Sequence, residues 1–192
     1  METLESYLQT HGVVVSPALR EAFQIFHHQH YDKGTLWIRE NQIAERIAFI
    51  LKGKIRHFYN IDGKEHTRWV SLENNFVTAF SSFVSQRPSQ ENLECIERCE
   101  LLATSRDKFY AVKAKFPEIQ QLWTLSLEAE IVGYEDRVFQ LITTDSEQRY
   151  LDFLEKYPQQ ALEIPQKYIA SMLGIAPRHL SRIRNKLANR KK

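Results

Sequence analysis

The first third of the chain changes from a helical to an alternating pattern of apolar positions. Ser16 and Pro17 form a helix-start signal, because serine caps helices and proline suits the first helical position. Leu19, Phe23 and Phe26 follow at helical spacing. We therefore expect a short helix ahead of the segments with strand-like alternation.

After residues 32–34 the apolar pattern becomes that of short β-strands. The predicted strands lie within residues 35–39, 47–53, 54–59, 65–72, 93–97 and 100–105. Asp62-Gly63 separates two of them and is the strongest short hairpin signal. Asp107 is expected to cap a short helix that runs to Lys113. Short strands joined by turns, with no helices between them, predict an antiparallel sandwich or barrel rather than a β-α-β sheet.

A long helix is predicted from Glu118 to Thr143, where Gly133 is the only glycine and no proline occurs. Five apolar residues repeat in it at the alternating spacing of four and three that defines a heptad seam: Leu127, Ile131, Tyr134, Val138 and Leu141. The seam covers only about two heptads. It therefore fits a helix packed on its own sheet as well as it fits a dimer-forming coiled coil.

Residues 164–184 have the pattern of a helix-turn-helix. Pro165 can begin a first helix, Gly174 supplies a tight turn, and Pro177 can begin a second helix. The inward positions are apolar: Ile169, Ala170, Leu173, Leu180, Ile183 and Leu187. A solvated basic helix at a chain end is the alternative, and it requires neither the turn glycine nor the small Ala170.

The charge distribution favours a polyanion as the partner of this segment. The chain has 26 Lys and Arg against 24 Asp and Glu, a formal net charge of +2. All of the acids lie in the first 164 residues, which carry −6, whereas residues 165–192 carry +8. The outer face of the second helix presents Arg178, His179, Ser181, Arg182 and Lys186. These are hydrogen-bond donors of the types that reach guanine or phosphate from the major groove.

Cysteine and histidine positions do not indicate a metal site. Cys95 and Cys99 have neither the CxxC spacing of a zinc or redox site nor a disulfide framework, so we expect two buried thiols. His27, His28 and His30 lack a Cys or carboxylate partner at ligand spacing. They are interpreted as residues of a solvated helix end.

The sequence contains no Ser-His-Asp order, P-loop or GxGxxG motif, so we expect no catalysis and no cofactor. A cupin-like metalloenzyme is a minor alternative, for which His57, Glu65 and His66 are the candidate ligands. No run of 18 apolar residues and no signal-peptide pattern occur, and a cytoplasmic protein that does not contact a membrane is expected.

The chain resembles the Crp–Fnr family of bacterial transcription regulators. The resemblance is carried by residues 33–40 (KGTLWIRE), residues 47–56 (IAFILKGKIR), the long helix and the helix-turn-helix. It implies an α+β protein with a cyclic-nucleotide-binding-type antiparallel β-roll or jelly roll, a dimerisation helix and a helix-turn-helix that lacks most of the family's wing. The implied domains are residues 1–115, 116–144 and 145–192.

The resemblance also implies roles for the basic residues. The residues expected to read bases are Arg178 and Arg182, with His179 and Ser181 beside them. The residues expected to bind phosphates are Gln166, Lys167, Arg184, Lys186, Arg190, Lys191 and Lys192. The resemblance favours the interpretation of the heptad seam as a dimer interface. The expected partners are therefore a palindromic double-stranded operator and a second copy of the chain. RNA polymerase is a further candidate.

The phosphate-binding segment departs from the pattern of the family's cyclic-nucleotide binders. Val77 and Thr78 stand where those proteins have Gly-Glu, and the arginine position falls near Ser89, with Arg87 two residues early. A cyclic phosphate would lack its counter-charge, which is costly in a buried site. We therefore predict no tight binding of cyclic AMP.

An unknown small-molecule effector remains an alternative. The candidate pocket residues are Phe76, Val77, Thr78, Phe80, Arg87 and Ser89. Because this segment is mostly aromatic and uncharged, the pocket either is filled by its own phenylalanines or takes an apolar or weakly polar ligand. The leading hypothesis is a homodimeric, sequence-specific DNA-binding regulator, and the alternative is a regulator gated by an effector in this pocket.

Overall fold

The computed structural model describes residues 2–190, and it begins with two short helices. These are α1 (Glu2–Thr10) and α2 (Pro17–Ala22), which a 3-10 turn (Phe23–Ile25) follows. Ser16 caps α2, because its hydroxyl oxygen accepts a hydrogen bond from the backbone N–H of Leu19 at 3.1 Å. Pro17 occupies the first helical position, so the predicted helix start is confirmed.

Within the described residues, eight strands form two four-stranded antiparallel sheets. They are β1 (His27–Tyr31), β2 (Leu36–Ile38), β3 (Arg46–Lys52), β4 (Ile55–Ile61), β5 (Lys64–Ser71), β6 (Phe76–Val77), β7 (Asn92–Cys95) and β8 (Cys99–Ser105). The strand orders are β1-β8-β3-β6 and β2-β7-β4-β5. Side chains of both sheets, among them Phe49, Leu93 and Leu101, are fully buried in one core. The predicted antiparallel β domain is confirmed.

The turn between β4 and β5 is the predicted hairpin. Asp62 and Gly63 have φ values of 51° and 77°. Positive φ at both central residues is the geometry of a type I′ turn, which matches the twist of the strands that it joins.

Two local predictions were wrong. His27, His28 and His30 belong to β1 rather than to a helix end, because β1 is an edge strand whose backbone pairs with β8. The cap of helix α4 (Arg106–Lys115) is Ser105, whose hydroxyl oxygen accepts from the backbone N–H of Lys108 at 3.5 Å. The predicted cap, Asp107, lies inside the first helical turn.

The remaining helices follow the sheets, apart from α3, which lies between β6 and β7. They are α3 (Phe80–Ser85), α5 (Pro117–Thr143), α6 (Ser146–Lys156), α7 (Pro158–Glu163), α8 (Gln166–Met172) and α9 (Pro177–Arg190). The long helix α5 is confirmed, whereas α3 and α7 were not predicted. Among residues 2–190 no helix is both long enough and apolar enough to cross a membrane.

The C-terminal helices pack on the second sheet. Val70 and Leu72, from β5 and the residues after it, are buried in a second core together with Phe153, Ile164 and Ile169. The C-terminal helices therefore share an apolar interface with the β-roll of the same chain.

Candidate functional site

The last two helices have the geometry of a helix-turn-helix. Gly174 follows α8 with the left-handed φ of 64° that turns the chain. The backbone N–H of Ile175 donates to the carbonyl oxygen of Ala170 at 2.8 Å, and Ala170 is fully buried. Pro177 is the first residue of α9. The buried inward side chains of the two helices are Ile169, Ala170, Met172, Leu180 and Ile183.

The outer face of α9 carries the side chains that were predicted to read bases. The exposed residues on this face are Arg178, His179, Ser181 and Arg182. No Asp or Glu occurs from Pro165 to Arg190, so the exposed arginines have no acidic neighbour within their own two helices.

The residues predicted to bind phosphates lie in different environments. Gln166 and Lys167 are exposed at the start of α8, and Arg184 is half-buried. The Nζ of Lys186 forms an ion pair of 2.5 Å with a carboxylate oxygen of Glu147 in α6, so a phosphate would compete with that carboxylate. The Arg190 side chain and residues Lys191 and Lys192 lie outside the described part of the chain.

Polar contacts fix α8 against the β-roll. The guanidinium of the buried Arg56 stacks on Tyr168, 4.6 Å from the ring centre, and it binds Glu65 at 2.6 Å. The backbone N–H of Thr67 in β5 donates to the hydroxyl oxygen of Ser171 at 2.8 Å. The orientation of the helix-turn-helix is therefore set by β4 and β5 as well as by its own core.

Arg137 connects α5 to both β5 and α8. Its two terminal nitrogens donate to the carbonyl oxygens of Arg68 and Met172, each at 2.6 Å. The central helix, the sheet and the helix-turn-helix thus meet at one guanidinium group.

The outward face of α5 presents apolar side chains to solvent. Leu125, Val132 and Phe139 repeat every seven residues and are 53%, 57% and 64% exposed, and Ile142 is 78% exposed. A repeat of seven places Leu125, Val132 and Phe139 on one face of the helix, and Ile142 lies about one turn after Phe139. We call Leu125, Val132, Phe139 and Ile142 the outer stripe.

The heptad seam predicted from the sequence lies partly on another side of α5. Leu127 is half-buried, and the hydroxyl group of Tyr134 accepts a hydrogen bond from Arg68 of the same chain. Leu141 is next to the helix-turn-helix, since a Cβ at Gly174 would lie 3.5 Å from its Cδ2. Ile131 and Val138 are 59% and 55% exposed, and Tyr134 and Leu141 are 42% and 46% exposed.

A cavity of about 510 Å³ lies between the β-roll and α5 and continues towards α6. Its apolar end is lined by aromatic residues, including Tyr7, Phe76, Phe80 and Trp123. Phe80 stacks on Trp123 with 5.4 Å between the ring centres. Its polar end includes His57, Arg68, Tyr134 and Arg137. The phenylalanines of the segment therefore form walls around open space rather than filling it.

The residues of the phosphate-binding segment separate into two groups. Those that line the cavity are Phe76, Val77, Thr78 and Phe80. The Thr78 hydroxyl donates to the carbonyl oxygen of Arg46 at 2.9 Å. Arg87 is exposed and outside the lining. Ser89 is also outside it, with a buried hydroxyl that donates to the Glu91 carbonyl oxygen at 2.7 Å.

A buried ionic network at the polar end of the cavity was not identified from the sequence. Arg68 binds Glu91 through Nε at 2.9 Å and lies 3.1 Å from Nδ1 of His57. Burial lowers the pKa of His57. Burial alone would raise the pKa of Glu91, but His57 and the guanidinium of Arg68 outweigh burial and lower this pKa to about 2.

The depressed pKa of Glu91 predicts acid-sensitive stability. Its carboxylate stabilises the fold fully above pH ~4.5, and this contribution is lost as the pH falls towards 2. We expect Glu91→Gln to lower the free energy of unfolding at pH 7 by ~3 kcal/mol and to flatten its dependence on pH below ~4.5. Urea unfolding of both proteins between pH 3 and pH 7 measures this.

Glu97→Gln is the matched control, because Glu97 binds Lys54 at 3.0 Å at the surface with 44% of its side chain exposed. Exposed pairs of this kind contribute little to stability. Equal losses in the two variants would contradict the role assigned to the buried network.

Candidate metal ligands do not come together in the described part of the chain. No group of three His, Cys, Asp or Glu side chains between residues 2 and 190 is arranged to hold a metal ion. Of the trio considered for a cupin-like enzyme, His57 joins Arg68 and Ser71, whereas Glu65 binds Arg56. Cys95 and Cys99 are buried free thiols, as expected.

Comparison with known proteins agrees with this architecture. Residues 28–116 match the family model of the cyclic nucleotide-binding domain. No curated protein matches the chain significantly. Similar solved structures include a CooA mutant from Carboxydothermus hydrogenoformans, with 17% identity, a TM-score of 0.77, and coverage of 91% of this chain and 81% of that one.

Two further structures are similar over most of their length. FixK2 from Bradyrhizobium japonicum has 18% identity, a TM-score of 0.75 and coverage of 86% of both chains. CLP from Xanthomonas campestris has 15% identity, a TM-score of 0.72, and coverage of 92% of this chain and 93% of that one.

The matched domain and the geometry together define the fold. The chain combines a cyclic nucleotide-binding domain fold with a long helix and a C-terminal helix-turn-helix. This is the fold of the Crp–Fnr transcription regulators, and the resemblance stated from the sequence is confirmed.

Proposed function

We propose that the protein is a sequence-specific DNA-binding transcription regulator that acts as a homodimer and catalyses no reaction. The exposed, acid-free outer face of α9 is the observation that carries this proposal. A helix that presents arginines at one face and buries Leu180 and Ile183 at the other is suited to the major groove.

Base reading is assigned to the start of α9. Arg178 and Arg182 lie four residues apart and therefore share one side of the helix. A guanidinium group can donate two hydrogen bonds to O6 and N7 of guanine. Gln166 and Lys167, at the exposed start of α8, are assigned to phosphates, which position the protein without reading sequence.

A second copy of the chain is assigned to the outer stripe of α5. Four exposed apolar side chains on one helix face are unfavourable in water, and a heptad repeat is suited to pairing with an identical helix. Tyr134 of the predicted seam hydrogen bonds to Arg68 of its own chain, and Leu141 lies next to Gly174. Both are less exposed than Val132 and Phe139, which favours the outer stripe as the dimer face. Two-fold symmetry would present two copies of α9 to a palindrome with half-sites about one helical turn apart.

Selection of bound DNA from a random pool tests the proposal. We expect enrichment of a palindromic sequence, because each protomer reads one half-site. Absence of any enriched sequence, with the protein shown to be folded and dimeric, would contradict sequence-specific binding.

Arg182→Ala tests the assignment of base reading. The variant should bind the selected operator more weakly by ~1–3 kcal/mol and tolerate more bases at one position of each half-site. Lys167→Ala is the control, and it should weaken binding to all sequences alike and reduce the salt slope by about one. Fluorescence anisotropy at several salt concentrations measures both. Equal losses of Arg182→Ala on operator and random DNA would assign Arg182 to phosphate instead.

The cavity of about 510 Å³ favours a second candidate function, in which an effector gates DNA binding. The similar protein CLP is described as responsive to c-di-GMP. Here Thr78 hydrogen bonds within the domain, and Arg87 lies outside the cavity, which supports the prediction that cyclic AMP does not bind tightly.

A further inference from the structure

We propose that the cavity between the β-roll and α5 binds an uncharged, largely apolar organic molecule that carries a hydrogen-bonding group at one end. The proposal rests on the effector-gated candidate function and names its ligand class. It concerns binding at the cavity, which can be measured without DNA.

The apolar end of the cavity is suited to a flat hydrocarbon body. Tyr7 and Phe76 pack edge to face with 5.6 Å between their ring centres, and Phe80 stacks on Trp123. These rings hold each other in place and still leave the cavity open. Preformed apolar cavities of this size bind small molecules mainly through buried apolar surface.

The charges around the cavity disfavour an anion. Three cationic side chains line it, and each is already engaged within the protein. Arg68 binds Glu91, Lys156 binds Asp136 at 2.8 Å, and Arg137 donates to two backbone carbonyl oxygens.

Carboxylates also line the cavity, so an anionic ligand would meet like charge. The lining acids are Glu130, Asp136 and Asp152. Apart from the tyrosines, His57 is the remaining titratable group at this end, and burial lowers its pKa, so the ring is neutral at pH 7. Together with Glu91 beside Arg68, the lining acids outnumber the three cationic side chains, so the cavity has no net positive charge to offset a buried anion. An uncharged ligand avoids this cost.

Hydrogen-bonding groups are available to an uncharged ligand at the same end. The oxygen of Tyr134 accepts from Arg68, which leaves its O–H to donate into the cavity. Ser71 also lines the cavity, and its hydroxyl oxygen is 3.0 Å from Nε2 of His57. A ligand with a carbonyl, ether or hydroxyl group can pair with these hydroxyls.

Gly133 keeps part of the cavity open. It lies in the middle of α5, where glycine is among the poorest helix formers. It lines the cavity, and a Cβ at this position would meet no atom within 4 Å. A larger side chain can therefore enter the cavity without displacing protein atoms, which makes Gly133 a position from which the cavity can be filled.

The test compares two fluorescent probes that share one apolar body. N-phenyl-1-naphthylamine is uncharged, and 8-anilino-1-naphthalenesulfonate adds a sulfonate. We expect the uncharged probe to bind one site per protomer and to bind at least about tenfold more tightly than the sulfonate or cyclic AMP. Gly133→Ala should retain probe binding, whereas Gly133→Phe should abolish it while raising or preserving the midpoint of thermal unfolding.

The outer stripe of α5 is the competing location for an apolar probe, and Phe139→Ser distinguishes the two. Loss of the probe in Phe139→Ser but not in Gly133→Phe would overturn the proposal, as would tighter binding of the sulfonate or of cyclic AMP. DNA binding by the same variants is measured separately. Loss of DNA binding with retained probe binding would thus bear on the regulator function and not on the ligand class.

Discussion

Replacing Val132 and Phe139 together with aspartate is expected to convert the protein to monomers and to lower its operator affinity at least about hundredfold. Both side chains lie in the outer stripe and are more than half exposed in the isolated chain. In a dimer they would become buried, where four introduced carboxylates would repel one another. Monomers lose the gain in affinity that comes from engaging two half-sites at once.

Analytical ultracentrifugation measures the oligomeric state, and fluorescence anisotropy measures operator binding. Leu162→Asp is the control, because Leu162 is 88% exposed on α7 and lies outside α5. A dimeric Val132→Asp/Phe139→Asp protein would contradict the outer stripe as the dimer face. Ile131→Asp combined with Val138→Asp would then test the exposed part of the predicted seam.

Gly53→Ala is expected to destabilise the fold by ~3 kcal/mol or more. Gly53 joins β3 to β4 with a φ of 96°, a backbone conformation that other residues rarely adopt. A Cβ would lie 2.7 Å from the carbonyl oxygen of Arg98 and 2.8 Å from the Sγ of Cys99. Relief of the clash requires movement of the backbone that enters β8.

Gly63→Ala separates the two causes of this loss. Gly63 also has a positive φ, 77°, but a Cβ there would meet no atom within 4 Å. It should therefore cost only the backbone strain, ~1–2 kcal/mol. Urea unfolding measures both variants, and similar losses would show that the contact with Arg98 and Cys99 can relax.

The elements predicted correctly are those specified by local chemistry. Ser16 and Pro17 define a helix start, Asp62-Gly63 defines a hairpin, and Gly174 defines the turn of the helix-turn-helix through neighbouring residues alone. The β1 histidines were misassigned because pairing with β8, at least 70 residues later, decides their conformation. The local sequence around these histidines does not determine that long-range pairing.

In the candidate site, too, features set by the local sequence were predicted, and features set by long-range contacts were not. The exposed face of α9 follows from helical periodicity, so its residues could be named from the sequence. The contact between Arg68 and Glu91 joins residues 23 apart, and Arg137 reaches a carbonyl oxygen 69 residues away. Backbone carbonyl acceptors carry no sequence signal, so only the folded chain identifies Arg137 as a junction.

Helix α5 carries two surfaces on a single rod of 27 residues. Gly133 and Tyr134 face the cavity, and Val132 belongs to the outer stripe. Adjacent residues of α5 thus take part in two equilibria, ligand binding at the cavity and dimerisation through the outer stripe. A rotation of the helix would change the affinity of both. Thermodynamic linkage then makes the coupling reciprocal. If a ligand in the cavity changes the dimerisation constant by some factor, dimerisation changes the affinity of the cavity for that ligand by the same factor. Protein concentration would therefore tune the sensitivity of the cavity to its ligand.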